Sequence, residues 1–347
     1  MEFRVYLIRR LLLLIPVLFG VSILIFTLLQ LFPPYQRAML YVTDPRQMAN
    51  IDEIIELYGL NAPLWQQYLT WIGQVFQGNM GWSPVVGMSV TEAIVTYLPA
   101  TLELAIFATP IIIMGGIWLG TKAAANKDRF IDHTTRTAAI VGWSLPTFWL
   151  GLVLLMVFYG FFSGLFPPER LSTDINVLVH SNDFVRYTHL NFLDGILNWK
   201  WEVFFDSLRH MVLPVLTLSV VNIAFIMRLM RSSMLESLGK GYILTARAKG
   251  LPERIVINKH ARRNAMIPIL TISGYLFAAI VNGVVITESI FNYKGLGWWA
   301  WRTAVMLDVS SILGFALFSG ILFVLTNLVV DLLYARFDPR VRLGAKV

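Results

Sequence analysis

Six stretches of this chain are long, apolar and almost free of charge, each near the roughly 20 residues a helix needs to cross hydrocarbon. They run at about 11–32, 100–121, 137–166, 211–227, 264–287 and 309–330. No water reaches the bilayer core to satisfy a stray backbone N–H or C=O, so runs of this length have to be helices. Composition agrees: 14% of the residues are charged and 56% are hydrophobic, whereas a soluble domain carries about 25% charge. The expected fold class is an all-α integral membrane protein with about six transmembrane helices. The fourth stretch is the shortest, and Arg228, just after it, is placed near the inner headgroups. The third is long enough to span with tilt or to end in an interfacial segment.

The first stretch opens like a leader, with Arg9-Arg10 before four leucines. Its apolar run is longer than a signal-peptide core, no small-x-small cleavage site follows, and Phe32-Pro33-Pro34 ends it. It is expected to be a retained helix. With the N-terminus inside, six crossings bring the C-terminus back inside, so both termini are expected to be cytoplasmic. The inner segments then hold 20 of the 28 Lys and Arg residues, the bias that orients membrane proteins. Topology thus accounts for the net charge of +7. Lipid is the implied partner, and no nucleic acid is needed.

On this reading the chain divides into a cytoplasmic N-terminus with the first helix at 1–32, an extracytoplasmic segment at 33–99, and a five-helix core at 100–347. The core carries an extracytoplasmic loop at about 167–210 and a cytoplasmic loop at about 228–263. Within 33–99, Ile51, Ile54, Ile55 and Tyr58 alternate with Asp52, Glu53 and Glu56 at helical spacing. Gly59 and Pro63 break that helix, and a second one carries Trp65, Tyr68 and Trp71.

Catalytic chemistry is thinly represented. There is no cysteine, which excludes disulfides, thiolate metal sites and cysteine nucleophiles. His133, His180, His189, His210 and His260 form no His-x-x-x-His pair, and no G-x-S-x-G turn is present. No phosphate-binding G-x-x-x-x-G-K-[ST] loop occurs either, since Gly239-Lys240 lacks both the earlier glycine and the following hydroxyl residue. No catalytic residue, metal site or bound cofactor is assigned.

Polar residues within the spans are read structurally. Glu103 and Asp331 sit near helix ends, where interfacial solvation is the expected explanation. Asn222 and Asn282 are expected to glue helices together. Gly116 and Gly120 form a small-xxx-small pair, and Trp298, Trp299 and Trp301 beside Lys294 read as an outer aromatic belt.

The most informative segment lies between the fourth and fifth stretches. Residues 234–270 read MLESLGKGYILTARAKGLPERIVINKHARRNAMIPIL. Residues 242–249 suit a helix, Gly250 stops it, Pro252 opens the next, and 253–263 continues it. Thr245, Ala246 and Ala248 are small enough to let another surface approach closely. A basic inner loop obeying the charge rule is the plainer alternative.

LTARAKGL, from Leu244 to Leu251, resembles the "EAA" coupling loop of permease subunits in binding-protein-dependent ABC importers, specifically the peptide and nickel branch. Leu244 stands where the broad consensus has glutamate, Thr245 and Ala246 replace its two alanines, and Gly250 matches its glycine. HA-x-RN from His260 to Asn264, followed by Pro268, fits the same branch. LPATLELA from Leu98, LPTFWLGL from Leu145, HMVLPVLTL from His210 and the closing NLVVDLLYARFDPRVRLG resemble its B-type permease, as does the start of the chain. Pro33-Pro34-Tyr35 departs from the P-G-D-P of many members.

The resemblance implies a type I ABC-importer permease fold in the cytoplasmic (inner) membrane of a prokaryote, with no ATPase activity of its own. It implies a second, similar permease, two cytoplasmic ATPases that use ATP and Mg, and an extracytoplasmic solute-binding protein. Leu244, Thr245, Ala246, Arg247, Ala248, Lys249, Gly250 and Leu251 would be the ATPase-coupling loop, with Arg247 and Lys249 as polar anchors. ESIFNYKGLGWW would lie near the translocation path. Peptides are the first expectation for substrate, with oligosaccharides and nickel chelates as alternatives. A self-sufficient secondary transporter or a membrane enzyme is the competing class.

Overall fold

The computed structural model describes residues 3–162 and 164–337. The last residues of the chain, and the side chain of Asp331, lie outside the described residues. Helices dominate. The principal ones are α1 (Phe3–Leu29), α2 (Ile51–Leu57), α3 (Leu64–Phe76), α4 (Val90–Ala125), α5 (Phe130–Ser144), α6 (Thr147–Leu155) and α7 (Trp201–Leu238). They continue with α8 (Gly241–Ala248), α9 (Arg262–Val281), α10 (Val285–Ile290), α11 (Leu296–Val305) and α12 (Val309–Phe337). Between α3 and α4 a minimal antiparallel hairpin pairs Trp82 with Ser89 and Ser83 with Met88.

Among the described residues five helical segments are long and apolar enough to cross a membrane, and α5 with α6 makes a sixth if that bent pair is one span. The third stretch, expected as one helix, is broken there by 94°. The cause is local. Pro146 pushes the preceding residue out of the helical region, and Leu145 accordingly sits at φ −74°, ψ 125°. The fifth stretch is also interrupted, because α9 ends at Val281 and Gly283 takes φ +103°.

The central packing pair is α4 with α7, the most extensive helix–helix contact. Both run well past their hydrophobic windows. Gly116 and Gly120 are what let them touch: a Cβ on Gly116 would lie 2.5 Å from Ile226 Cβ, and one on Gly120 2.6 Å from Met230 Cβ and 2.7 Å from the Met227 carbonyl. The small-xxx-small pair is therefore a contact face. Gly120→Val is expected to lower stability by about 1–3 kcal/mol through overpacking. Thermal unfolding of the purified protein checks this, with Gly20→Ala, which meets nothing within 4 Å, as the neutral control.

Around that pair Leu104, Ile112, Leu213, Ile226, Met230, Ile243 and Ile269 form one buried core. A second core joins α2 and α3 to α1 and α12 through Ile25, Phe26, Leu29, Ile54, Trp71, Leu313 and Leu317. The expected helices at 51–58 and around Trp65–Trp71 are both present, separated by Gly59 at φ +62° and capped by Pro63. Asn222 and Asn282 do not bridge helices as expected; each donates to a carbonyl of its own helix, Leu218 and Ala278 respectively.

Candidate coupling element and buried charge clusters

The face carrying the 228–263 loop, which the charge bias assigns to the cytoplasm, is called inner here. On it α7 ends at Leu238 and α8 follows after two residues. Ile243 and Ala246, three apart and so on one side of α8, are buried in the main core. The opposite side presents Leu244, Thr245, Ala248 and Lys249, with Leu244 64% exposed.

The end of α8 is a Schellman turn. Gly250 adopts φ +72°, its N–H donates to the Arg247 carbonyl at 2.9 Å, and the Leu251 N–H donates to the Ala246 carbonyl at 3.4 Å. This is the 6→1 and 5→2 pattern that a left-handed residue permits. Leu251 then packs against the core, and Pro252 caps the next helical run at Glu253. Arg247 spans the turn to Glu253 at 2.6 and 3.2 Å, and those bonds hold its proton more tightly than usual. Arg247 is thus engaged within the loop, while Lys249 is exposed. Ser237 at the end of α7 meets the Tyr242 hydroxyl and donates to the Ala261 carbonyl at 3.0 Å. These bonds tie α8 to α7 and to the segment entering α9. That segment, Val256–Ala261, is a π-helix, a form that recurs at functional sites.

At the other end of the molecule Glu103 is fully buried. It accepts from Arg170 Nε at 2.8 Å, from the Tyr293 hydroxyl at 2.6 Å and from the backbone N–H of Asn191. Interfacial solvation, the expected reading, is overturned: the carboxylate is enclosed by protein. Burial alone would lower the Arg170 pKa, and Glu103 beside it outweighs that, leaving it above the ordinary value. Burial pushes the Tyr293 phenol well up, so it stays a donor.

Two residues earlier on α4, Thr101 donates to Glu288 Oε1 at 2.8 Å and accepts from the Leu296 N–H at 2.8 Å, while Glu288 Oε2 takes the Trp298 N–H at 2.8 Å. The glycines around this knot have no room for a side chain. A Cβ on Gly295 would lie 2.5 Å from Thr101 Oγ1, and one on Gly297 2.7 Å from the Val285 nitrogen. The GLG of the KGLGWW segment is a backbone crossing, closing α10 and α11 into a hairpin against α4. Trp299 is fully buried there, so it is core, not belt. Trp298 instead lies under Lys294 and Arg302 at 5.9 and 5.2 Å, and Trp301 is exposed.

A third cluster lies on the inner side. Asp132 in the first turn of α5 is fully buried and takes Arg231 of α7 in a fork, both bonds at 2.6 Å, plus the Asp128 N–H at 3.0 Å. Sequence reasoning missed this pair. Among the described residues no group of acids and histidines could hold a metal ion.

The fold is that of a polytopic helical membrane protein with an exposed helix–turn on its inner face. Residues 112–343 match the family described as binding-protein-dependent transport system inner membrane component, and residues 3–105 match that family's N-terminal region. The chain is 38% identical to the probable D,D-dipeptide transport system permease protein DdpB of Escherichia coli (strain K12), over 95% of each chain. It is 37% identical to the di/tripeptide transport system permease protein DppB of Pseudomonas aeruginosa (strain UCBPP-PA14), covering 96% of this chain and 97% of the relative. It is 36% identical to the oligopeptide transport system permease protein AppB of Bacillus subtilis (strain 168), covering 97% and 98%. The chain belongs to the family of binding-protein-dependent transport system inner membrane components. It is a multi-pass inner-membrane transport permease.

Proposed function

We propose that this chain is one of two membrane-spanning subunits of an ATP-driven importer of di- and oligopeptides. The near-full-length likeness to permeases named for dipeptide, di/tripeptide and oligopeptide transport carries the substrate reading and places peptides ahead of oligosaccharides and nickel chelates. Its partners are a second permease of the same kind, two cytoplasmic ATPases that bind ATP and Mg, and a solute-binding protein that delivers the peptide from outside. Both termini and the 228–263 loop face the cytoplasm.

Leu244–Leu251 is the coupling loop. Leu244, Thr245, Ala248 and Lys249 form the contact surface, Ile243 and Ala246 root it, and Gly250 sets its angle. Arg247 stiffens the turn through Glu253, leaving Lys249 as the polar anchor. When the ATPases close, α8 moves as a unit and carries α7 and α9 with it through Ser237, Tyr242 and Ala261. Rigid-body motion of packed helices is how such a shift becomes alternating access.

Tagged on this chain, the transporter is expected to copurify with ATPase subunits. In vesicles it should take up labelled dipeptides only with ATP inside and the binding protein outside. Uptake that survives ATP depletion and follows an ion gradient would sink this reading in favour of a secondary transporter. A binding protein that prefers oligosaccharides to peptides in a ligand panel would keep the machinery and overturn the substrate.

A further inference from the structure

We propose that a cavity of about 410 Å³ between α5 and α7 is a binding site for the phosphate group of an anionic phospholipid in the inner leaflet. The cavity is lined by Arg136, Ile140, Arg228, Arg231, Ser232 and Leu235.

The sequence already places its two key residues at one depth. Arg136 is the last charge before the third apolar stretch, and Arg228 is the first after the fourth. The two helices run antiparallel: Asp132 meets Arg231 at one end of the contact, and Gly142 faces the Val220 carbonyl at the other. Arg136 and Arg228 fall between those contacts, so both stand where hydrocarbon gives way to headgroups.

Charge bookkeeping then leaves the cavity positive. Three guanidiniums line it; Asp132 takes Arg231 with both oxygens and lies within electrostatic reach of Arg136, and Asp128 lies within reach of Arg231, so three cations still outnumber two acids. Among the described residues no carboxylate pairs with Arg136 or Arg228. The nearest other acid along α7, Glu236, is bound to Lys240 at 3.0 Å. Arg228 is instead held by its guanidinium over the Trp143 ring, 4.5 Å from the centroid, and Trp143 stacks on Phe225. That contact fixes the side chain's position without consuming its donors.

The Arg228 fork held over Trp143, with the Arg136 guanidinium and the Ser232 hydroxyl lining the same cavity, suits a phosphate, whose oxygens accept paired N–H donors. Ile140 and Leu235 supply an apolar wall for the glycerol and acyl carbons beneath it. Basic pockets between transmembrane helices on the cytoplasmic side are where anionic headgroups bind.

The test uses the full-length chain in its assembled transporter, in nanodiscs of equal phosphatidylglycerol and phosphatidylcholine, released for native mass spectrometry. Wild type is expected to retain phosphatidylglycerol, and R136Q/R228Q to retain it about tenfold less, since each lost cation near the surface weakens anionic-lipid binding several-fold. The control K127Q/R129Q removes two exposed inner-loop charges on the same helical hairpin and is expected to behave as wild type. Equal loss in both pairs would mean a diffuse charge effect, and unchanged retention in R136Q/R228Q would mean no site; either overturns the proposal. Inorganic phosphate in millimolar excess is expected not to displace the lipid. Complete displacement would make this a free-phosphate site and overturn the lipid assignment. Gel filtration checks folding, and if the double variant fails it, R228Q alone, which makes no hydrogen bond to Asp132, carries the same comparison.

Discussion

Gly250→Val is expected to cut ATP-driven uptake at least several-fold while the membrane core remains folded. A Cβ at Gly250 would meet nothing within 4 Å, so no clash disturbs the interior. The difficulty is conformational. The residue stands at φ +72°, where a β-branched side chain is a genuine outlier, and holding it there costs about 1–3 kcal/mol. The chain escapes by rebuilding the turn, which gives up the Leu251 bond to Ala246 and re-aims the surface carrying Leu244 and Lys249. At that cost the competent geometry falls in population by roughly fivefold to a hundredfold. Thermal unfolding should be nearly unchanged, whereas ATPase copurification and vesicle uptake should both fall. Gly250→Ala, unbranched, should lie between. Full assembly and full uptake in the valine variant would remove α8 as the coupling element.

The features legible in the sequence are those that depend on neighbours along the chain. A charge-free window of 20 residues is a local property, so the spans were visible, and so was the turn, because Gly250 and Pro252 punctuate it within three residues. The break at Leu145-Pro146 is local too. Hydropathy hides it, since averaging over a window discards direction, while the proline itself was the signal. The buried clusters are another matter. Glu103 meets Arg170 across 67 positions and Tyr293 across 190, and no periodicity links residues so far apart. A charge inside an apolar stretch marked Glu103 as unusual, but only the fold supplies its partners. Trp299 failed for the opposite reason. Three tryptophans beside a lysine fit an interfacial belt, yet the glycines at 295 and 297 draw that one ring into the core.

Because Glu103 is sealed and Arg170 is not, the two halves of their ion pair are expected to respond unequally. Glu103 has no exposed surface, whereas the Arg170 side chain keeps 19% of its own. Breaking a buried pair by removing one partner costs about 3–5 kcal/mol, most of it from the charge left behind. In Arg170→Met the charge left behind is Glu103, with water out of reach, and the loss should lie at the upper end of that range. In Glu103→Gln the survivor is Arg170, which can turn toward solvent, and the loss should lie at the lower end. The glutamine oxygen also still accepts from one of Arg170, Tyr293 and the Asn191 N–H. The double variant, with neither charge, should be more stable than Arg170→Met alone, giving a coupling that a double-mutant cycle reads directly. Thermal unfolding supplies the ranking. Proteolysis of the 167–200 segment reports on the same contact, because Arg170 and Asn191 tie that segment to α4 alongside the Phe192 ring on Phe107. If Glu103→Gln proved the more damaging of the two, the carboxylate would matter chiefly as the acceptor of three hydrogen bonds rather than as a charge. Fully additive losses would mean that the pair contributes no coupling at all, and that each side chain is held by its other neighbours.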